Sequence, residues 1–95
     1  MREELVARVM ACSWTELQPH HERGALLLVA PELDLVEVAE AVSLDHSGPV
    51  KRWLAEGRVA RPAAHHVLDW EERPSRFQFL IVQPFVLAQE LDATG

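Results

Sequence analysis

The pattern of apolar and polar positions divides the chain into short segments, of which 24–44 is the clearest. An uninterrupted apolar run at 25–30 has the length of a β-strand that is covered on both faces. Pro31 ends this run, because a proline favours extended backbone at the residue before it. Apolar residues then recur with helical spacing over 35–42, which predicts an amphipathic helix. We expect the other elements to pack around this strand and helix.

Acidic residues at the start of this helix have the spacing of a capping box. Asp34 lies three residues before Glu37, so the Asp34 carboxylate can accept from first-turn amides while Glu37 reaches back to the cap. Glu37 and Glu40 could instead form an acid–base pair. Because the cap and the solvated helix face account for these positions, we interpret the acids as structural.

Four further helices and one short strand are predicted around this central unit. Ser13 and Glu16 repeat the capping-box spacing. Apolar stripes and stop signals place the helices at 2–12, from Trp14 to a stop at Gly24, at 48–56, and from Pro62 to about Glu72. The extended segment 58–61 could add an edge strand. We expect Trp53 and Trp70, on two apolar stripes, to be core residues.

The last apolar segment, 77–88, alternates as a strand does and becomes apolar on both faces in its middle. Pro84 cannot donate to a ladder, so it marks an edge or a bulge, and strand and helix are hard to distinguish beyond it. We expect this segment to pair with 25–30. The fold class is therefore α+β: one domain, 1–95, in which four to five short helices cover a small sheet of two to three strands, at about 25–30, 58–61 and 77–88.

An apolar stretch after Pro84 predicts self-association. If 77–82 pairs with 25–30, then Phe85, Val86 and Leu87 lie beyond the end of the partner strand. An apolar patch at a strand edge is unusual on a soluble monomer. We therefore predict a homodimer through the C-terminal strand, in which these three residues contact the second copy or an unknown protein partner.

Composition narrows the function classes. With 95 residues, 48% of them apolar, the chain has a globular composition. Its net charge of −6 opposes non-specific binding to nucleic acid or to an anionic membrane surface, because both require a basic protein surface. No apolar stretch is long enough to cross a membrane, and the N-terminus lacks the pattern of a secretory signal. A single cysteine, Cys12, fits a cytoplasmic protein.

The residues that could carry chemistry do not form a recognised motif. Cys12 has no basic neighbour in sequence to activate it, so we interpret it as a small buried hydrophobe. Adjacent side chains on a helix point about 100° apart, so neither His20–His21 nor His65–His66 can readily chelate one ion. A metal site would require the two pairs to converge. We assign no catalytic residue, cofactor or metal.

Nucleic-acid binding is the first alternative. Helices 35–44 and 48–56 could form a helix-turn-helix. Its candidate contacts are the four cations Lys51, Arg52, Arg58 and Arg61. Against this hypothesis, Pro49 lies in the turn that would read bases, and the whole chain is acidic.

A small enzyme of unknown reaction is the second alternative. Its acid–base candidates are Glu37, Glu40, His65 and Asp69, and each has a structural explanation at hand. The function class that remains is a non-catalytic binding or regulatory accessory module that acts through protein–protein contacts. The Gln-Pro-Phe-Val-Leu end of the last strand, 83–87, favours this interpretation, because exposed apolar strand edges recruit other strands.

Three sequence blocks resemble one family. They are WTEL at 14–17, PELDLVEVA at 31–39 and VQPFVLAQ at 82–89. With these blocks the chain resembles, over nearly its whole length, the small bacterial proteins of domain-of-unknown-function family 2288. The resemblance implies a bacterial, cytoplasmic, stand-alone domain with no assigned activity, cofactor or catalytic residue. Pro19 and His20–His21 depart from the uninterrupted helix that we expect in relatives.

Overall fold

A computed structural model describes residues 2–73 and 75–91, which fold around a mixed β-sheet with helices on both faces. The helices are α1 (Arg2–Arg8), α2 (Trp14–Glu22), α3 (Leu35–Ser43), α4 (Ser47–Ala55) and α5 (Ala64–Glu72). The strands are β1 (Met10–Ser13), β2 (Leu26–Val29), β3 (Val59–Ala60), β4 (Arg76–Val82) and β5 (Phe85–Glu90). Their order across the sheet is β1-β4-β5-β2-β3. The α+β class is confirmed, but the expected two to three strands are too few, since the described residues form five.

The predicted C-terminal strand 77–88 is a hairpin of two strands. β4 and β5 pair antiparallel, and Val82 lies opposite Phe85 across the turn at Gln83–Pro84. Only β5 pairs with β2, and it does so in parallel. The prediction of one continuous strand is wrong because Pro84, which has no N–H for a ladder, lies in the turn between the strands.

The first strand of the sheet replaces the second half of a predicted helix. The helix expected over 2–12 ends at Arg8, and β1 follows it along the edge of β4. Leu5 and Cys12 are both buried. A helix and a strand can each turn Cys12 towards the core, so apolar spacing alone does not distinguish them here.

Alternation along the strands directs side chains into two separate cores. On one face, the fully buried Leu80 and Leu87 pack with apolar residues of α1 and α3. On the other face, Phe77 and Val86 pack with residues of α2 and with Trp70 of α5. Burying a large apolar side chain contributes about 1.5–3 kcal/mol, so both layers contribute to stability. The prediction that Trp70 is a core residue is confirmed.

The helix α4 packs less deeply than its apolar stripe predicts. Trp53 is half-buried at the border of the first core, and its neighbour Leu54 is 49% exposed. None of the described residues of α4 is fully buried. Trp53 is therefore a border residue rather than the core residue that we expected.

Side-chain caps form at one of the two predicted positions. Asp34 Oδ1 accepts from the amides of Val36 at 2.9 Å and Glu37 at 3.3 Å, which confirms the predicted cap of α3. Ser13 occupies the N-cap position of α2, but its side chain makes no cap hydrogen bond. The capping box predicted from Ser13 and Glu16 is therefore wrong, although a helix does begin at Trp14.

Three helices end in the same backbone turn. After α2, the amides of Gly24 and Ala25 donate to carbonyls of the last helical turn, which is the Schellman motif. The first residue of this turn requires a positive φ, and Gly24 (φ 75°) and Gly57 (φ 74°) provide it at the ends of α2 and α4. After α3 the same position is occupied by Asp45, at φ 58°.

Candidate functional site

The predicted dimer contact lies inside the sheet. Val86 and Leu87 are buried, and Phe85 is half-buried. Their strand, β5, has β4 on one side and β2 on the other, so its backbone is paired on both sides. The expectation that Phe85, Val86 and Leu87 form an exposed patch is wrong, because β5 rather than β4 is the neighbour of β2. A homodimer would need another surface.

One edge of the sheet is protected against further pairing. This edge is β3, which is only two residues long. The exposed residues Arg58 and Arg61 flank it. Short length and flanking charge are two of the ways in which natural proteins prevent an edge strand from recruiting another strand.

The opposite edge, β1, has neither protection. Its four residues, Met-Ala-Cys-Ser, include no charge and no proline. Met10, Ala11 and Ser13 are exposed, and Cys12 is buried. In the described part of the chain no strand lies outside β1, so no ladder uses the backbone groups on its outer side.

An apolar strip lies beside this open edge. Met10 is 61% exposed and lies opposite Phe79 on β4. Ile81, two residues further along β4, is 44% exposed, and alternation places all three side chains on the same face of the sheet. We refer to the backbone of β1 with Met10, Phe79 and Ile81 as the β1 edge surface.

The cations of the predicted nucleic-acid contact are divided between different cavities. Arg58 and Arg61 line a cavity of about 260 Å³ near β3. Lys51 lines a different cavity, of about 280 Å³, at the corner between α3 and α4. Arg52 is exposed on α4. The structure therefore brings Arg58 and Arg61 together and places Lys51 at a separate site.

The histidine pairs are connected through two tryptophans. The ring of His21 lies 5.6 Å from that of Trp14, and His66 stacks on Trp70 at 5.5 Å. The two tryptophan rings lie 5.0 Å apart. In residues 2–73 and 75–91, no group of three or more His, Cys, Asp or Glu side chains is placed to hold a metal ion. The histidines instead extend the aromatic packing between α2 and α5.

The acid–base candidates lie on opposite faces of the sheet. Glu37 and Glu40 belong to α3, which packs on the first core, whereas His65 and Asp69 belong to α5, which packs on the second. Hydrogen bonding to Arg73, at 2.7 and 2.9 Å, lowers the pKa of the exposed Asp69 carboxyl. The structure therefore does not bring these four residues together.

Burial makes Cys12 a poor nucleophile. Its burial, and then the charge of Glu16, raise the pKa of the thiol to about 11, although Arg76 opposes the shift. Because the thiolate is the reactive form, this pKa leaves the thiol protonated at neutral pH.

The chain matches the family described as protein of unknown function DUF2288 over residues 1–90. It belongs to this family. A solution NMR structure of PA1075 from Pseudomonas aeruginosa is similar to this DUF2288 protein, with a TM-score of 0.84 and 38% sequence identity. The similarity covers 96% of this chain and 84% of PA1075. No curated protein matches the chain. In the described part of this DUF2288 chain, no helix has the length and apolarity that a membrane crossing requires.

Two of the blocks that resemble the family, 31–39 and 82–89, are held together by Gln89. This side chain is 6% exposed, and its Nε2 donates to the carbonyls of Ala30 at 2.8 Å and Leu33 at 2.6 Å. Its Oε1 accepts from Gln78 Nε2 at 2.6 Å. The apolar pattern does not predict this role of Gln89, because a polar residue near the end of an apolar strand is normally solvated.

Proposed function

We propose that this DUF2288 protein is a non-catalytic binding module that acts through protein–protein contacts at the β1 edge surface, and that the isolated protein forms a homodimer there. The observation that supports the proposal is the open, uncharged edge of β1 beside two exposed apolar residues, Met10 and Ile81. The opposite edge, by contrast, is short and flanked by Arg58 and Arg61.

An extended strand fits the chemistry of this surface. Its backbone would hydrogen-bond to the outer side of β1, and its alternate side chains would cover Met10 and Ile81. A second copy of β1 can bind in the same way, because two antiparallel copies of one strand are related by a two-fold axis. The single cysteine, Cys12, is the basis on which we propose a cytoplasmic location.

Affinity capture from the native host, followed by mass spectrometry, tests whether the β1 edge surface binds a partner protein. The edge variant, Met10→Lys with Ala11→Lys, puts a charge on each face of β1, as natural protected edges do. The helix control, Ala64→Lys with Leu68→Lys, makes the same types of exchange on exposed positions of α5, where Leu68 is 59% exposed. Exposed substitutions typically change stability by about 0.5 kcal/mol or less, so both variants should fold.

We expect the wild-type protein and the helix control to enrich the same partner protein, and the edge variant to lose it. A partner retained by the edge variant would contradict the proposed surface. Nucleic acid that co-purifies with all three proteins would instead favour the helix-turn-helix alternative. In that case its binding should weaken steeply as the salt concentration rises.

A further inference from the structure

A cleft near β3 has no role in the proposed function. It has a volume of about 260 Å³ and lies where β2 runs into the turn at Ala30–Pro31. Its apolar lining includes Leu28, Pro31 and Ala60. Pockets for drug-sized ligands have volumes of roughly 300–1,000 Å³, so this cleft is large enough only for a small ligand.

The cleft also has a cationic lining, which is unusual on this acidic chain. Arg58 and Arg61 both line it, against one carboxylate, that of Glu90, whereas the whole chain has a net charge of −6. The Arg58 side chain pairs with Glu56 through Nε at 3.3 Å. That ion pair does not use the two terminal nitrogens of the guanidinium, which remain possible donors.

Arg61 is the less constrained of the two cations. Its guanidinium carbon lies 3.8 Å from the position that a Cβ on Gly24 would occupy, so the group rests over the turn after α2. Within residues 2–73 and 75–91 the Arg61 guanidinium makes no hydrogen bond and no ion pair. A guanidinium of this kind is a ready partner for an oxyanion, which it can bind through two parallel N–H groups.

The other polar residues of the lining, His66 and Glu90, do not cancel the positive charge of the two arginines. His66 Nδ1 accepts from the Ala63 amide at 3.0 Å, which leaves Nε2 as the ring nitrogen that can donate into the cleft. The Glu90 carboxylate accepts from Trp70 Nε1 at 3.3 Å and lies 3.6 Å from Arg73 Nη2. Its charge is therefore already compensated from outside the cleft.

We infer that this cleft binds a small oxyanion, a carboxylate or a phosphate, attached to a short apolar body. The guanidinium groups of Arg58 and Arg61 bind the oxyanion. The apolar body packs against Leu28, Pro31 and Ala60. This site lies beside β3, at the other edge of the sheet from the β1 edge surface, so it is independent of the proposed partner contact.

Amide chemical-shift mapping by NMR tests the inference with three probes that share one apolar chain: hexanoate, hexyl phosphate and the neutral hexanamide. We expect at least one anion to shift the amides of Gly57, Ala60 and Arg61 saturably, and hexanamide to leave them in place. The tighter of the two anions identifies the head group. No saturable shift with either anion, or equal shifts with hexanamide, would overturn the inference.

Two variants separate the site from general charge effects. Arg61→Gln removes the cation that has no ion pair and should weaken anion binding at least about tenfold, the scale of one charge-assisted contact. Arg52→Gln removes one positive charge from the exposed face of α4 and should leave the affinity within about twofold, the scale of a screened distant charge. Equal effects of the two substitutions would show that net charge, and not the cleft, determines binding.

Discussion

At the scale of single residues, the buried hydrogen bonds of the Gln89 side chain can be tested most directly. Gln89→Glu keeps the size of the side chain but removes the N–H groups that bind the Ala30 and Leu33 carbonyls, and it places a carboxylate at a buried position. We expect the free energy of unfolding to fall by about 3 kcal/mol or more in urea denaturation. Gln83→Glu makes the same exchange at an exposed turn position and should cost no more than about 0.5 kcal/mol. Equal losses for the two variants would contradict the role of Gln89.

The raised pKa of the Cys12 thiol predicts how the stability of the protein and the alkylation rate of the thiol depend on pH. Its pKa is raised from 9.0 to about 11 in the folded protein, so the neutral thiol stabilises the fold fully below pH 9 and this contribution is lost as pH rises towards 11. We expect alkylation of the native protein to be slow at pH 8 and to accelerate between pH 9 and 11. Mass spectrometry measures the rate, and the urea-unfolded protein is the control. A native thiol that reacts at pH 8 as fast as the unfolded one would contradict the burial and the raised pKa of Cys12.

Local chemistry determines how far single residues could be predicted. The Asp34 cap and the Gly24 stop depend on neighbours within a few positions, so sequence spacing predicts both. The bonds of Gln89 join positions that are far apart in the chain, and spacing carries no information about them. The same limit applies to the cleft, because Arg61 and His66 come together with Glu90 only through the fold.

At the scale of elements, Asp45 is the residue whose replacement should improve the fold. It occupies the left-handed position after α3, at φ 58°, where glycine is less strained, and its negative charge lies at the unfavourable end of the helix dipole. We expect Asp45→Gly to raise stability by about 0.5–1 kcal/mol, measured as an increase in Tm.

Asp45→Asn provides the control, because it removes the charge while asparagine still tolerates the left-handed backbone. It should give only the electrostatic part of the gain. A Tm that falls in the Asp45→Gly variant would show that the Asp45 side chain contributes more to the turn than its backbone geometry costs.

Helices and strands were predicted well where the apolar spacing agrees with the cap, glycine or proline residues that begin or end an element. Helices α3, α4 and α5 and strand β2 form close to their expected positions. β1 was not predicted, because residues 10–13 continue the apolar spacing of α1 and no glycine or proline separates the two. The hairpin at Gln83–Pro84 was missed for a related reason, since both of its strands are apolar and Pro84 was interpreted as an edge or a bulge rather than as a turn.

At the scale of the whole molecule, strand order could not be read from the sequence. β5 lies between β4 and β2, antiparallel to one and parallel to the other, and both pairings bury the same kinds of apolar side chain. Apolarity therefore predicts that β2 and β5 are covered on both faces, but it does not select their neighbours. This order moves the open edge from the C-terminal strand to β1, and with it the expected interface.

Light scattering across micromolar protein concentrations tests most directly whether the β1 edge surface binds a second chain. For the wild-type protein and the helix control we predict a mass near twice the 10.7 kDa of one chain, and for the edge variant a mass near 10.7 kDa. A wild-type mass of 10.7 kDa at every concentration, or a dimer that the edge variant leaves intact, would contradict the proposed interface.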